Sequence, residues 1–589
     1  VARLKIAVYT IALNEKKFVD PWYESAKDAD YLLIADTGST DGTVERAREL
    51  GINVAQITVK PWRFDDARNA SLALLPADID FCVALDMDEV LVPGWREHLE
   101  KAPPGTTRPR YKYVWSWNTD GSEGLVYGAD KVHARSGYRW VHPVHEVLAP
   151  TDGEETQSWV GMEVHHFPDR SKSRGQYLPL LKKAVDERPM DDRNAYYYAR
   201  ELFFYGQAED ARREFKRHLA LPTATWRAER AASMRYLAQL EHDEAEAWLL
   251  RACAEAPEFR EPWVELARHY YDRQSWEDCL SAARRALTIT EKPLLYINDA
   301  AAWSSLPHDL ASIGAWHAGQ RGAAVEHLRG ALRVEPGSER LQANLAMMLR
   351  VTHPERAVAV VPSRSNVEGC MLVLERLERD PQVSAVVLVA DGDEACRTYG
   401  ALLSERGPEL RKVRLERVER GAGIHAMWNI GVEAARREKS AVALVNDDVT
   451  VADDTIGSLV SLLAYDRSLG LVCPAYDYRK FTDITQDVST VCNGRYDGSG
   501  GLAGFCMVLA ADIVQRFRFD ESMKWWYGDN DVLLHVTRNE KRRAAITSLA
   551  RCSGNSSATV DNDPPEDFWK VVQDDKLKFY VKWGICDAR

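Results

Sequence analysis

Short apolar runs alternate with amphipathic stretches over the first part of the chain. Lys5–Ala12, Ala29–Ala35, Val54–Val59 and Phe81–Asp86 are β-rich and largely hydrophobic, and segments with helical spacing lie between them. That alternation predicts parallel strands joined by crossover helices. Their near-continuous apolar character predicts strands covered on both sides.

From about Ser171 to Val351 apolar residues recur at helical spacing among Ala, Leu, Arg and Glu, and strand signals almost vanish. Four amphipathic stretches stop at Pro222, Pro257, Pro293 and Pro336, which lie 35, 36 and 43 positions apart. Tetratricopeptide arrays repeat every ~34 residues. The middle of the chain resembles such an array of degenerate repeats, with an insertion around Asn298 to Pro307. An ordinary helical domain with coincidental proline spacing is the alternative.

After His353-Pro354 the α/β alternation returns, with buried-strand patterns at Ala357–Pro362, Ala385–Ala390 and Ser440–Val445. The expected fold class is therefore α/β plus all-α: a lobe over 1–170, a helical segment over 171–353 and a second lobe over 354–589.

Composition removes several alternatives. The 589 residues are 45% hydrophobic with 18 Trp, 23 Tyr and 14 Phe, which excludes a chain too polar to fold. A net charge of -13 gives no overall attraction to nucleic acid or an anionic membrane. No run approaches the ~20 apolar residues of a membrane span, and Val1 to Thr10 lacks the zones of a secretion signal, so a cytoplasmic location is expected. The 10 Cys are scattered without a C-x-x-C pair and read as buried reduced thiols.

The chemistry begins at Leu85-Asp86-Met87-Asp88-Glu89, acids placed directly after a buried strand. The carboxyl ends of parallel strands are where such sheets bind ligands, and two carboxylates there can hold a hard divalent cation. A solvated acidic loop is the alternative. Upstream, Asp36-Thr37-Gly38-Ser39-Thr40-Asp41-Gly42-Thr43 follows another buried strand, and Asp36 could accept from a nucleobase imide or ribose. Neither G-x-G-x-x-G nor G-K-[ST] occurs in this run, which disfavours dinucleotide and P-loop readings.

Together, Thr10-Ile11-Ala12-Leu13-Asn14-Glu15, the Asp36 turn, Asp66-Ala67-Arg68-Asn69-Ala70 and the D-x-D string resemble the N-terminal half of family-2 glycosyltransferases of GT-A fold. The resemblance implies that Thr10, Ala12, Asn14, Glu15 and Asp36 line the nucleotide. It implies that Arg68 and Asn69 support the phosphates, and that Asp86 and Asp88 face the donor sugar and a metal. Further on come Trp140-Val141-His142-Pro143-Val144-His145-Glu146 and then His165-His166. The four His could bind zinc or be core residues. Similarity to tetratricopeptide-bearing members of the family implies Glu146 as general base, His145 on the acceptor side, and His165 or His166 as a further metal ligand. The usual later Glu-Asp pair is absent from this lobe.

The last lobe repeats the order. Asn446-Asp447-Asp448 follows Ser440–Val445, with Asp448 at the second acid of D-x-D and Asn446 at the first. Asp391 mirrors the Asp36 turn, and Gly423–Gly431 carries Asn429. Gly500–Met507 and Phe519-Asp520-Glu521 lead to Trp525-Trp526-Tyr527-Gly528-Asp529-Asn530-Asp531. The same resemblance implies a donor site of Pro362, Arg364, Asp391, Asn429 and Asp447, metal contact through Asp448, and Asp529 as base. Trp525 and Trp526 could stack on an acceptor sugar ring or be core residues. No His follows Arg551 to serve as a late metal ligand.

The expected activity is a bifunctional inverting transferase taking nucleotide-diphosphate sugars, UDP-sugars foremost, with Mn2+ or Mg2+ in each α/β lobe. The helical segment points to a protein acceptor, or a sugar already on it, without membrane or nucleic acid. Saccharides and modified DNA bases remain open as acceptors, as does the oligomeric state. The competing reading is a scaffold in which one or both lobes have lost catalysis.

Overall fold

The computed structural model describes residues 3–151, 154–169, 175, 177–476, 481–488, 491–492, 495–496, 502, 504–554 and 567–585. The chain is mixed α/β and divides into two compact units, Val1–Pro307 and His308–Arg589.

The first unit opens with β1 (Ile6–Ala12), α1 (Lys16–Ala26), β2 (Tyr31–Asp36), α2 (Thr43–Glu49), β3 (Asn53–Gln56), α3 (Phe64–Ala73) and β4 (Phe81–Ala84). It continues with β5 (Glu89–Leu91), α4 (Trp95–Glu100), β6 (Arg108–Val114), β7 (Val126–Ala129), β8 (Val132–Ala134), β9 (Tyr138–Val141), β10 (Val147–Pro150) and β11 (Gln157–His166). Among the described residues the main sheet runs β3-β2-β1-β4-β8, parallel except for β8, and a second runs β5-β11-β6-β7. Strand β1 shows why its sequence is apolar throughout. Ile6 and Val8 enter one core with Trp22 of α1, while Ala7 and Tyr9 enter another with Leu72 of α3. Both faces are covered, as the unbroken hydrophobic run predicts.

Helices follow: α5 (Tyr177–Glu187), α6 (Asp192–Phe204), α7 (Ala208–Ala220), α8 (Arg227–Leu240), α9 (Ala245–Glu255), α10 (Arg260–Asp272), α11 (Trp276–Leu287), α12 (Leu306–His317), α13 (Arg321–Val334) and α14 (Glu339–Thr352). Pro222, Pro257, Pro293 and Pro336 come after α7, α9, α11 and α13, the second helix of each pair. Proline has no N–H for a helical hydrogen bond and biases its predecessor away from helix, which punctuates the array. The boundary between the two units falls inside α12.

The second lobe contains β12 (Ala357–Ser363), α15 (Val367–Arg379), β13 (Val383–Asp391), α16 (Asp393–Arg406), β14 (Val413–Val418), α17 (Ile424–Glu438), β15 (Ala441–Val445) and β16 (Val449–Val451). Then come α18 (Thr455–Tyr465), β17 (Leu469–Ala475), β18 (Thr485–Asp487), β19 (Val491–Cys492), β20 (Arg495–Tyr496), β21 (Cys506–Leu509), α19 (Ala511–Val514), α20 (Gly528–Leu534), β22 (Arg543–Gly554) and α21 (Phe568–Trp583). Its sheet runs β14-β13-β12-β15-β21-β17-β22-β16, with β18 on β22. The succession β14-β13-β12-β15-β21 repeats β3-β2-β1-β4-β8, including the antiparallel last strand, and β17-β22-β16 repeats β6-β11-β5. The two lobes share one strand topology.

No helix among the described residues is long and apolar enough to cross a membrane. Cys82, Cys253, Cys279, Cys370, Cys473, Cys506 and Cys552 are buried free thiols and Cys396 is half-buried. Gly500, Gly501, Ala503 and Cys586 lie outside the described residues.

Candidate active sites

In the first lobe the loops after β1 and β2 are sewn together by short polar side chains. Asn14, in the left-handed region at φ 56°, accepts from Thr40 N at 2.8 Å and donates its own N–H to Ser39 Oγ at 2.8 Å. Glu15 N donates to Thr43 Oγ1 at 2.8 Å. Asn tolerates left-handed backbone better than most residues, which suits it to this turn. Asp36 is fully buried and accepts from Gly38 N at 3.0 Å and Ser39 N at 3.1 Å, so its carboxylate shapes the loop. Thr10 and Ala12 are buried within β1.

The D-x-D acids occupy two environments. Asp86 Oδ1 accepts from Arg68 Nη2 at 2.6 Å and Oδ2 from Lys131 Nζ at 2.7 Å. Burial pushes this carboxyl up, but the two cations outweigh it and hold it well below the usual carboxylate range. Arg68 Nε also donates to Glu146 Oε1 at 2.5 Å, and Lys131 to Glu89 Oε1 at 2.7 Å. Tyr113 OH completes the shell of Glu89 at 2.7 Å. Asp88 stands apart from these cations. Its Oδ2 lies 3.3 Å from His166 Nε2, in the register that pairs β5 Glu89 with β11 His166. His166 Nδ1 bonds Trp115 O at 2.9 Å. Burial disfavours charge on this imidazole, yet Asp88 and the Trp115 carbonyl outweigh it and raise its pKa.

Of the two candidates His165 and His166, only His166 is brought to Asp88. Neighbouring strand residues point to opposite faces, and His165 Nε2 meets Glu163 Oε1 at 2.6 Å while His166 faces Asp88. Among the described residues no group of three or more His, Cys, Asp and Glu is placed to hold a metal. The donor pair Asp88 and His166 nevertheless suits a divalent cation: a carboxylate oxygen and an imidazole nitrogen converge, and the second ring nitrogen is fixed by a backbone carbonyl, as metal-ligating histidines are. Diphosphate oxygens and water would have to fill the other positions.

Glu146 sits on a turn with His142 and His145 in the left-handed region, at φ 79° and 51°. His145 stacks on Tyr197 at 4.2 Å, so its ring packs against α6. Asn69 fixes the strand leading to this turn: Nδ2 donates to Trp140 O at 2.9 Å and Oδ1 accepts from Trp140 N at 2.8 Å.

The second lobe keeps that clamp. Asn429 Nδ2 donates to Phe519 O at 3.0 Å and Oδ1 accepts from Phe519 N at 2.9 Å. Register then equates the two sites residue by residue. Asn446 stands at Asp86, Asp448 at Asp88, Val449 at Glu89, and Trp428, just before the clamp, at Arg68. Leu444 pairs with Met507 where Ala84 meets Lys131, and Val449 pairs with Gly554 where Glu89 meets His166. The cations, the acid between them and the imidazole are all replaced. Buried Arg68 Nη1 in one lobe, and Asn446 Oδ1 and Trp428 Nε1 in the other, have no hydrogen-bond partner among the described residues.

Asp447 is 4% exposed, and its carboxylate accepts from Ser363 Oγ. Burial pushes its pKa up to about 7; it fills the position of Met87, a core residue of the first lobe. Arg364 Nε donates to Asp391 Oδ2 at 2.7 Å, and its guanidinium lies 5.4 Å from the Trp525 ring. Pro362 is buried in β12. Asp529 Oδ1 accepts from Asn530 N at 2.8 Å, and burial raises its pKa. Trp526 is 37% exposed, with its edge against Phe568 at 5.9 Å.

Sequence reasoning missed Lys131 and the Tyr9 OH that links Trp140 Nε1 (2.8 Å) to His133 Nε2 (2.9 Å), and it gave Glu89 no role of its own within the acidic string. Lys131 lies between β7 and β8, and only strand pairing brings it to Asp86.

No protein-family model and no curated protein sequence matches the chain. Among solved structures, S. aureus TarS overlaps 38% of this chain and 40% of its own, at 13% identity and TM-score 0.27. GalNAc-T7 with UDP, GalNAc and Mn2+ overlaps 37% and 48%, at 14% identity and TM-score 0.27. YrrB, a TPR protein with an unusual peptide-binding site, overlaps 29% and 83%, at 15% identity and TM-score 0.25. Likenesses at this level leave the function to be argued from the site itself.

Proposed function

We propose that the chain is an inverting glycosyltransferase using nucleoside-diphosphate sugars, UDP-sugars foremost, with its metal-dependent centre in the first lobe. The observation that carries this reading is the Asp88–His166 pair at 3.3 Å beside Asp86, whose two oxygens are held by Arg68 and Lys131. A divalent cation at Asp88 and His166, Mn2+ or Mg2+, would supply Lewis-acid neutralisation of the departing diphosphate. The chain's own residues do the rest. Arg68 and Lys131 fix Asp86 for contact with the donor sugar, and the Asn14 and Asp36 loops receive the nucleoside. Glu146 takes the acceptor proton as the hydroxyl oxygen attacks the anomeric carbon. The bond to the diphosphate oxygen breaks, its electron pair leaves with the nucleotide, and configuration inverts.

In the second lobe the residues do not fit a resident metal in the same way, because Gly554 replaces the imidazole and no step is assigned to a metal there. A second transfer would use Asp529, whose burial-raised pKa suits a general base. A relic that only binds nucleotide or acceptor is favoured by the replacement of Arg68, Asp86, Lys131 and Glu89 by Trp428, Asn446, Met507 and Val449. The helical pairs make a polypeptide, or a glycan on it, the proposed acceptor; that rests on architecture alone.

Hydrolysis of a panel of UDP-hexoses with manganese tests the assignment. Asp88→Ala is expected to abolish it. Hydrolysis that survives Asp88→Ala and is removed by adding Asp448→Ala would make the chain bifunctional, and hydrolysis unchanged by Asp88→Ala would overturn the reading.

A further inference from the structure

Resting on that reading, we infer that the segment leading to the candidate base is held, in each lobe, by a helix lying outside the sheet, and that Tyr197 and Asp575 are the positioning residues.

In the first lobe the turn is 142–146, and its two left-handed residues are both gripped by α6. His142 Nδ1 and Asn194 Nδ2 are 3.0 Å apart, and His142 Nε2 lies 3.6 Å from Asp191 Oδ2. His145, the residue before Glu146, lies face to face with Tyr197 at 4.2 Å and 23°. Tyr197 is itself immobilised: Tyr296 stacks on it at 5.7 Å, and the guanidinium groups of Arg193 and Arg200 lie 4.8 and 4.7 Å from its ring. The N-cap Asp191 and the helix positions 194 and 197 follow one another at one-turn spacing and so share a face.

The second lobe solves the same problem with a different helix. Tyr527, also left-handed at φ 66° and two residues before Asp529, stacks on Phe579 of α21 at 5.1 Å and 23°. Asp575 of that helix is fully buried, and its carboxylate accepts three backbone N–H groups: Lys524 and Trp525 at 2.9 Å each, and Trp526 at 3.1 Å. Trp583 Nε1 and Lys582 Nζ then hold Asp531 at 2.8 Å.

Left-handed backbone at non-glycine residues costs energy and persists only where surroundings enforce it. Here the enforcing contact is a stacked ring beneath the left-handed residue, in both lobes, supplied by helices that occupy unrelated places in the chain. A catalytic group displaced by about 1 Å can cost ~100-fold in rate, so these helices act on the base without touching substrate.

Hydrogen exchange on the full chain tests the latch independently of any activity. Tyr197→Ala is expected to speed exchange in 140–148 at least tenfold while 81–85 stays protected, and Tyr197→Phe to restore it. Asp575→Ala is expected to do the same to 523–531, with Asp575→Asn intermediate. Unchanged exchange in these turns would overturn the latch, as would loss of protection throughout the unit with no recovery in Tyr197→Phe. UDP-hexose hydrolysis then reads the catalytic consequence: Tyr197→Ala should lower kcat about tenfold, with the Kd for UDP and manganese within twofold of the parent. Faster exchange with unchanged kcat would overturn the positioning role while leaving donor binding intact. A parent that binds no UDP and hydrolyses no donor would instead sink the transferase reading, with the exchange result standing separately.

Discussion

The two α/β lobes have the same strand order and the same asparagine clamp, yet the buried ion network around Asp86 in the first has no counterpart around Asn446 in the second. Around β4, Arg68 and Lys131 face Asp86, Glu89 and Glu146. Around β15 the matching positions hold Trp428, Met507, Asn446 and Val449. Such replacement in concert is what buried electrostatics demands, because removing one partner strands a charge whereas removing all of them leaves an apolar core. The clamp survives because it serves the backbone. Asn69 and Asn429 each satisfy one N–H and one C=O of the segment leading to a base, whatever the chemistry beside it.

That contrast breaks first under single substitutions. Asp88→Ala should lower donor hydrolysis by ~10²–10³-fold, with Asp448→Ala much milder; equal effects would erase the distinction between the lobes. Arg68→Met should destabilise the first lobe by about 3–5 kcal/mol, since it leaves Asp86 and Glu146 facing each other without their shared cation. Adding Asp86→Asn, Glu89→Val and Lys131→Met should recover a good part of that loss in denaturant titrations. Strict additivity of the four costs would contradict the account of a network replaced as a unit.

Acid titration sharpens the comparison at smaller amplitude. His133 is buried, which lowers its pKa to about 4. The unfolded chain takes up that proton near pH 6.5 and the folded one resists it, so this contribution is present above pH 6.5 and is lost as pH falls toward 4, by about 3 kcal/mol. Asp380 of the second lobe has the opposite sign: burial, with a minor push from Asp454, raises its carboxyl against the amides of Gly457 and Gln382. Its contribution is present at acidic pH and is lost as pH rises past the ordinary carboxylate range. Hydrogen exchange in 81–85 and 441–445 across pH 4 to 7 should therefore move in opposite directions, and His133→Phe should flatten the first profile. The smallest effect concerns the clamps. Asn69→Ala and Asn429→Ala should each cost about 1–3 kcal/mol, and a large disparity would mean that the two do different work.

Much of this was legible beforehand. Buried strands, helical pairs stopped by proline and acids at strand ends all follow from local spacing, which is why β1, β4, β12, β15 and the four prolines fall as expected. What was hidden depends on strand pairing or distant helices. Lys131 reaches Asp86 only through the β4–β8 register. His165 and His166 are distinguished only by which face of β11 meets β5. Asp575, far along the chain from Trp525, signals nothing in a linear reading. The division inside α12 was hidden as well, because proline periodicity marks repeats without saying which unit each one packs on.

The most direct test is calorimetric titration of the full chain with UDP in the presence of manganese. The account predicts a metal-dependent site that His166→Ala or Asp88→Ala removes and that Asp448→Ala leaves in place. Binding unaffected by either of the first two substitutions, or lost only with the third, would contradict it.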